Sequence, residues 1–187
     1  MNFCCHCGEA VEFKIPAGDN LPRYVCTACD HIHYQNPRII AGCIAEHENK
    51  ILLCKRAIEP RLGQWTLPAG FMENNETTLQ AAQRETFEEA NAKINNIQLF
   101  CSVSIPHISQ VYIMYRGQLT DGFAKPGIES LETKLFSEAE INWDTLAFPV
   151  IIESLKLYFN DKNNAQFNIH NGEMCRDENN ITTTKFY

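Results

Sequence analysis

The 187 residues are 44% hydrophobic and carry a formal net charge of −7 with a pI near 5.4. That is enough apolar material for one sizeable core with a small attachment, and too acidic a balance to favour a broad nucleic-acid surface. No stretch comes close to the roughly 18 consecutive apolar residues of a membrane span, and the opening MNFCCHCGEA lacks a charged-then-apolar leader, so the expected compartment is the cytoplasm with no membrane partner.

Nine cysteines in such a chain point to metal binding and buried thiols. Cys4-x2-Cys7 and Cys26-x2-Cys29, with 18 residues between the pairs, have the spacing of a four-thiolate zinc ribbon. Each pair turns two sulfurs toward one tetrahedral ion, and Gly8 frees the backbone beneath the first pair. So small a module has little core of its own, and structural Zn2+ would supply most of its folding energy. Cys5, His6, His31 and His33 lie close by in sequence, where one of them is an alternative fourth ligand. A redox dithiol is the competing reading for either pair taken alone.

Tyr34-Gln35-Asn36-Pro37 reads as a hinge, because Pro37 blocks helix and an apolar run follows it. The ribbon is therefore expected over residues 1–36. Ile39 to Ala45 and Ile51 to Cys54 read as a hairpin around His47-Glu48-Asn49-Lys50, with Cys43 and Cys54 as buried small hydrophobes. Arg56 and Trp65 follow; the arginine is a candidate phosphate contact or a surface ion pair, and the tryptophan a core ring or a border of a nucleotide site.

The stretch from Gly70 to Ala92 is dense in glutamate. Thr77 and Gln80 fit a capping box, and Leu79, Ala82, Thr86 and Ala90 recur at three- and four-residue steps, which predicts a helix over residues 77–91. At about 100° per residue, Glu85, Glu88 and Glu89 share one face. Three like charges there repel, and hard oxygen donors suit Mg2+ or Mn2+. Arg84 stands four residues before Glu88 and can orient it. A solvated acidic face is the plain alternative.

The spacing Gly70-x5-Glu76-x7-Arg84-Glu85-x2-Glu88-Glu89 resembles the Nudix box, preceded by a G-x-W-x-L-P-x-G run over residues 63–70. Thr86 and Ala92 replace bulkier aliphatics, and Asn91 replaces the terminating glycine, a role asparagine can fill in the left-handed conformation. The resemblance implies an α/β protein, a Nudix-type α/β/α sandwich with a mixed sheet over residues 37–160. It implies Glu85, Glu88 and Glu89 as metal ligands with Arg84 beside them, and the carbonyl of Gly70 as a further ligand.

Downstream, residues 97–105 and 110–119 are rich in β-branched and aromatic residues and predict two strands. After the loop Asp121–Gly127, Glu129 is a candidate general base, since some similar enzymes carry theirs on such a loop; a solvated charge is the other reading. Leu135-Phe136 reads as a strand and residues 147–158 as a helix begun at Pro149. Residues 161–187 turn polar and asparagine-rich, with FNIH as their one strand-like island, and are expected as a disordered tail.

A zinc ribbon followed by a Nudix box resembles the branch that splits the diphosphate of dinucleotides or nucleotide sugars. ADP-ribose or FAD is the favoured substrate, a small-molecule nucleotide, with a homodimer compatible with the family. The NADH-specific branch carries a Ser-Gln-Pro-Trp-Pro-type motif where this chain has Ser102-Val103-Ser104-Ile105-Pro106-His107. The alternatives are an RNA-directed enzyme that removes a dinucleotide cap and a nucleotide-sensing regulator without turnover.

Overall fold

The computed structural model describes residues 1–179 and 181–187, which fall into two compact units, Met1–Pro37 and Arg38–Tyr187. The first unit is a three-stranded antiparallel sheet of β1 (Val11–Lys14), β2 (Arg23–Cys26) and β3 (Ile32–His33) in that order. Its strands are short and largely exposed, with only Cys4, Pro16, Val25, Cys26 and His33 buried.

In the second unit β4 (Arg38–His47) and β5 (Lys50–Arg56) form the expected hairpin. Glu48 and Asn49 both take left-handed φ, 45° and 67°, the primed turn whose twist matches the strands. The short strands β6 (Trp65–Thr66) and β7 (Ala69–Phe71) pair with β5 and β4 respectively. Then come helix α1 (Thr78–Ala90), β8 (Ile94–Ile105), β9 (Gln110–Leu119), β10 (Ser130–Phe136) and helix α2 (Pro149–Asn163). Together with β11 (His170–Arg176) and β12 (Thr182–Phe186) they complete a nine-stranded sheet. Its order is β10-β5-β4-β9-β8-β11-β12, and it is mixed, with β4 parallel to β9 and β11 parallel to β8.

Alternation along the central strands builds two cores. Ile40 and Ile44 of β4 and Ile51 and Leu53 of β5 join the cluster under α2, which contributes Val150, Ile151, Leu155, Tyr158 and Phe159. The intervening Ala41, Cys43, Ala45, Leu52 and Cys54 face the other way, toward the clusters that include Ala81, Ala82 and Ala90 of α1. Apart from Glu89, the residues α1 buries are small, so its backbone can lie close to the sheet; Leu79, expected in its apolar stripe, is instead 37% exposed.

Residues 161–187 differ from the expected tail. Asp161 ends its helix buried, accepting from the amide of Asn168 at 2.9 Å and lying 2.8 Å from Nε2 of His170. β11 then adds to the sheet beside β8. The strand was not legible because it buries Met174 and one glycine and is otherwise polar; its backbone ladder holds it in place, with Phe167 and Phe186 packed against the adjoining core.

Candidate active site and metal centres

Helix α1 is fixed at both ends by its own sequence. Thr77 accepts from the amide of Gln80 at 3.2 Å while the Gln80 side chain accepts from the amide of Thr77 at 2.8 Å, a reciprocal cap. At the other end Asn91 takes φ 48°, and its amide donates to the carbonyl of Phe87. The Asn91 side chain also donates to the carbonyls of Lys125 (3.0 Å) and Pro126 (3.2 Å).

That second contact draws the downstream loop onto the helix end. The amides of Lys125 and Gly127 donate to the carbonyls of Ala90 (2.8 Å) and Glu89 (2.9 Å), which satisfies groups a helix terminus otherwise leaves open. The approach is so close that a Cβ on Gly127 would sit 1.7 Å from the carbonyl oxygen of Glu88. Two residues on, the carbonyl of Glu129 accepts from the amide of Ala57 at 2.8 Å, so the loop is held from β5 as well. Glu129 thereby faces the cleft that Glu85, Glu88 and Glu89 also line.

The arginine of the acidic element does more than pair with Glu88. Arg84 donates to both oxygens of Glu76 (2.7 and 3.0 Å), to Glu85 (2.7 Å), to Glu88 (3.0 Å) and to the carbonyl of Phe71 (3.1 Å). Glu76 is held below the usual carboxylate range by this pairing. Glu85 packs on Gly70 so tightly that a Cβ there would lie 2.3 Å from its Oε1, so any other residue at that point would push the carboxylate aside. Burial raises the pKa of Glu85 despite Arg84. Glu89 is only 8% exposed and has no ion-pair partner among the described residues. Burial, then the charge of Glu85, pushes Glu89 up to about 8.

The acids do not draw together as tightly as their helical spacing suggests: among the described residues, no three carboxylates bring oxygens within 4.8 Å of one another. Arg84 holds Glu85 and Glu88, and Glu89 is outside that set of bonds. The donor set nonetheless fits a hard divalent cation, since Glu89 is a buried carboxylate without a direct ion pair among the described residues, and the charge of Arg56 offsets its burial only in part. Opposite the acids, Arg56 lies 5.1 Å from the Phe148 ring and donates to the carbonyl of Pro60 at 2.8 Å. Tyr112, Phe71, Ile108 and Gln110 line the same cavity of about 1270 Å3. These walls were not found from sequence, because the alternation of β9 does not say which of its faces opens onto a cleft. Of the two readings of Trp65 the structure fits the core ring and corrects the nucleotide border: it packs edge-on against Phe136 at 4.9 Å and does not line the cleft.

In the N-terminal unit the sulfurs of Cys4, Cys7, Cys26 and Cys29 all lie within 4.8 Å of one another, with Cys7–Cys26 at 3.4 Å, Cys7–Cys29 at 3.5 Å and Cys4–Cys29 at 3.9 Å. A tetrahedral zinc with Zn–S near 2.3 Å separates its sulfurs by about 3.8 Å. The amides of Cys29 and Ala28 donate to Cys26 and pull its thiol down to about 6, so one ligand is already predisposed to the thiolate form.

A family model described as NUDIX domain matches residues 36–151, and one described as Nudix N-terminal, a zinc ribbon, matches residues 2–35. The chain belongs to the Nudix hydrolase family. A crystal structure of a NUDIX hydrolase from Nitrosomonas europaea is 55% identical, with a TM-score of 0.90 over 94% of this Nudix hydrolase and 100% of that chain. NAD-capped RNA hydrolase NudC of Photobacterium profundum is 29% identical over 74% of this chain and 50% of its own length. The protein of the same name from Vibrio atlanticus is 31% identical over 70% of this chain and 47% of its own. The Nudix hydrolase described here thus spans about half the length of the curated relatives it matches. Among the described residues, no helix is long and apolar enough to cross a membrane.

Proposed function

We propose that this Nudix hydrolase splits the diphosphate of a nucleotide joined through that diphosphate to a second organic group, with ADP-ribose or FAD as the small-molecule substrates. The observation that carries this reading is one cavity of about 1270 Å3 that sets five carboxylates, those of Glu73, Glu85, Glu88, Glu89 and Glu129, and Arg56 against apolar walls of Phe71, Ile108 and Phe148. Pockets for one small ligand run to about 1,000 Å3 at most, and a two-part substrate uses more.

In this reading Glu85, Glu88 and Glu89 hold Mg2+ or Mn2+, with the carbonyl of Gly70 as a further donor. The bound cation neutralises charge on the diphosphate oxygens and makes water a stronger nucleophile. Glu129 takes the proton from the attacking water, supported by its fixed position across from Glu89. Arg56 binds a phosphate oxygen through its free guanidinium nitrogens, while Arg84 keeps Glu85 and Glu88 oriented. The products are two monophosphates. Aromatic and aliphatic walls bind the organic groups and keep bulk water from the reacting phosphorus.

A second reading is favoured by the names of the relatives: the substrate is NAD-capped RNA, its cap occupying the same cavity. The chain's departure from the Ser-Gln-Pro-Trp-Pro pattern bears on this choice, because the segment that follows places Ile108 and Gln110 in the cavity wall. Purified full-length protein with Mg2+, tested against ADP-ribose, FAD, NADH, CoA, nucleoside triphosphates and NAD-capped RNA, decides between them. Release of two monophosphates from ADP-ribose or FAD is expected. A kcat/KM at least tenfold higher on capped RNA would establish the second reading, and turnover of triphosphates alone would refute both.

A further inference from the structure

Beside the four-thiolate set the N-terminal unit holds a second cluster of metal-ligating groups. Cys5, His31 and His33 each bring one donor atom within 4.8 Å of the others. None of them belongs to the Cys4-Cys7-Cys26-Cys29 set, which is complete as a tetrahedron without them.

The spacing inside the cluster is informative. Cys5 Sγ lies 3.6 Å from Nδ1 of His33. For one tetrahedral ion with Zn–S near 2.3 Å and Zn–N near 2.05 Å, the sulfur-to-nitrogen distance is about 3.6 Å. The ring of His33 supplies an independent observation. It is 6% exposed, and the nitrogen it turns toward the cluster is Nδ1, not the Nε2 that has no hydrogen-bond partner among the described residues. Its Nδ1 meets the Cys5 thiol, a weak partner, so the protein by itself leaves this buried imidazole poorly satisfied. His31 sits 4.7 Å from the His33 ring, centroid to centroid, and stacks on its far side with His6 at 5.5 Å, which limits the ring's rotation.

We propose that Cys5, His31 and His33 form a second cation site on the ribbon, for a borderline divalent ion such as Zn2+. One thiolate and two imidazoles select such an ion over Mg2+ or Ca2+. Three protein ligands leave a fourth position to water, and Cys5 and His31 are exposed, so the ion exchanges with solvent more readily than the ion of the four-thiolate set. Binding ties the first cysteine turn to β3, closing a loop of 28 residues.

The test uses the full-length chain loaded with one equivalent of zinc and then titrated with Co2+. Only a cysteine ligand gives thiolate-to-cobalt absorption in the near ultraviolet, so cobalt at the carboxylate cleft is silent in this readout. The expected result is a thiolate band that rises to saturation as cobalt is added while one zinc stays bound. Cys5→Ser should abolish the band. His31→Ala should weaken cobalt binding by more than about tenfold, since even the outer-shell partners of a ligand are worth that much. Retention of one zinc by both variants shows that their ribbons remain folded. The proposal is overturned by the absence of a band, by a band that survives Cys5→Ser, by less than a tenfold loss in His31→Ala, or by a band that grows only as zinc is released.

Discussion

Glu89→Gln separates the electrostatics of the acidic helix from its chemistry. The substitution keeps the shape of a side chain that is 8% exposed and removes its charge. In the metal-free protein burial and Glu85 raise the Glu89 pKa from 4.5 to about 8. A raised folded-state pKa means that the folded protein holds this proton more tightly than the unfolded chain. The stabilisation it contributes is therefore full below about pH 4.5 and is lost as pH rises through about 8. Between those limits wild type should lose up to about 1.4 kcal/mol per pH unit relative to the variant. By pH 8 the accumulated advantage of Glu89→Gln approaches about 4 kcal/mol as an upper bound, since a charged Glu89 recruits water and shifts its neighbours. Urea unfolding in a chelator, followed by tryptophan fluorescence at pH 5, 6, 7 and 8, measures this directly. Both tryptophans, Trp65 and Trp143, report on the unit that contains the helix. A gap of no more than about 1 kcal/mol at pH 5 that widens above it is the expected pattern. Saturating Mg2+ should reverse the order, because only wild type gains fully from binding, and turnover of the variant should fall by about 100-fold or more. A stability difference that stays flat with pH, or a variant weaker than wild type at pH 8 without metal, would refute the argument.

Asn91→Ala should cost about 1–2 kcal/mol, because alanine is strained at φ 48° and the bonds to the Lys125 and Pro126 carbonyls are lost. Asn91→Gly should recover the backbone part alone, so equal unfolding midpoints for the two variants would contradict this account of the cap. Cys26→Ser, dialysed against a mild chelator, should lose about one zinc per chain and the amide-exchange protection of residues 1–37 while tryptophan fluorescence holds. Zinc retained in full, or protection lost across both units, would contradict it.

What the sequence made legible follows the range of the forces involved. Both caps of α1, the left-handed Asn91, the start of α2 at Pro149 and the β4–β5 hairpin depend on neighbours within a few residues, and all were readable. The Nudix box and the paired cysteines were legible because their spacing is fixed by a helix and by turns. The partners of Arg84 were less so: its pairing with Glu76 and with the Phe71 carbonyl depends on how the loop before α1 folds back. The cleft walls and the placement of Trp65 against Phe136 depend on which face of a strand meets which layer. β11 and β12 were hidden because backbone pairing holds a polar strand that has almost no side-chain signature.

The clamp on residues 125–129 limits how this region can change in length. Three backbone amides, those of Lys125, Gly127 and Ala57, pin the segment at intervals too short to absorb slack. An added residue between Asp121 and Ala124 can bulge into solvent and leave the pins alone. The same residue placed between Lys125 and Glu129 has to break a pin or turn the Glu129 carboxylate out of the cleft. Lineages that vary the outer loop freely should therefore hold the inner one to a constant count, whatever side chains they place in it.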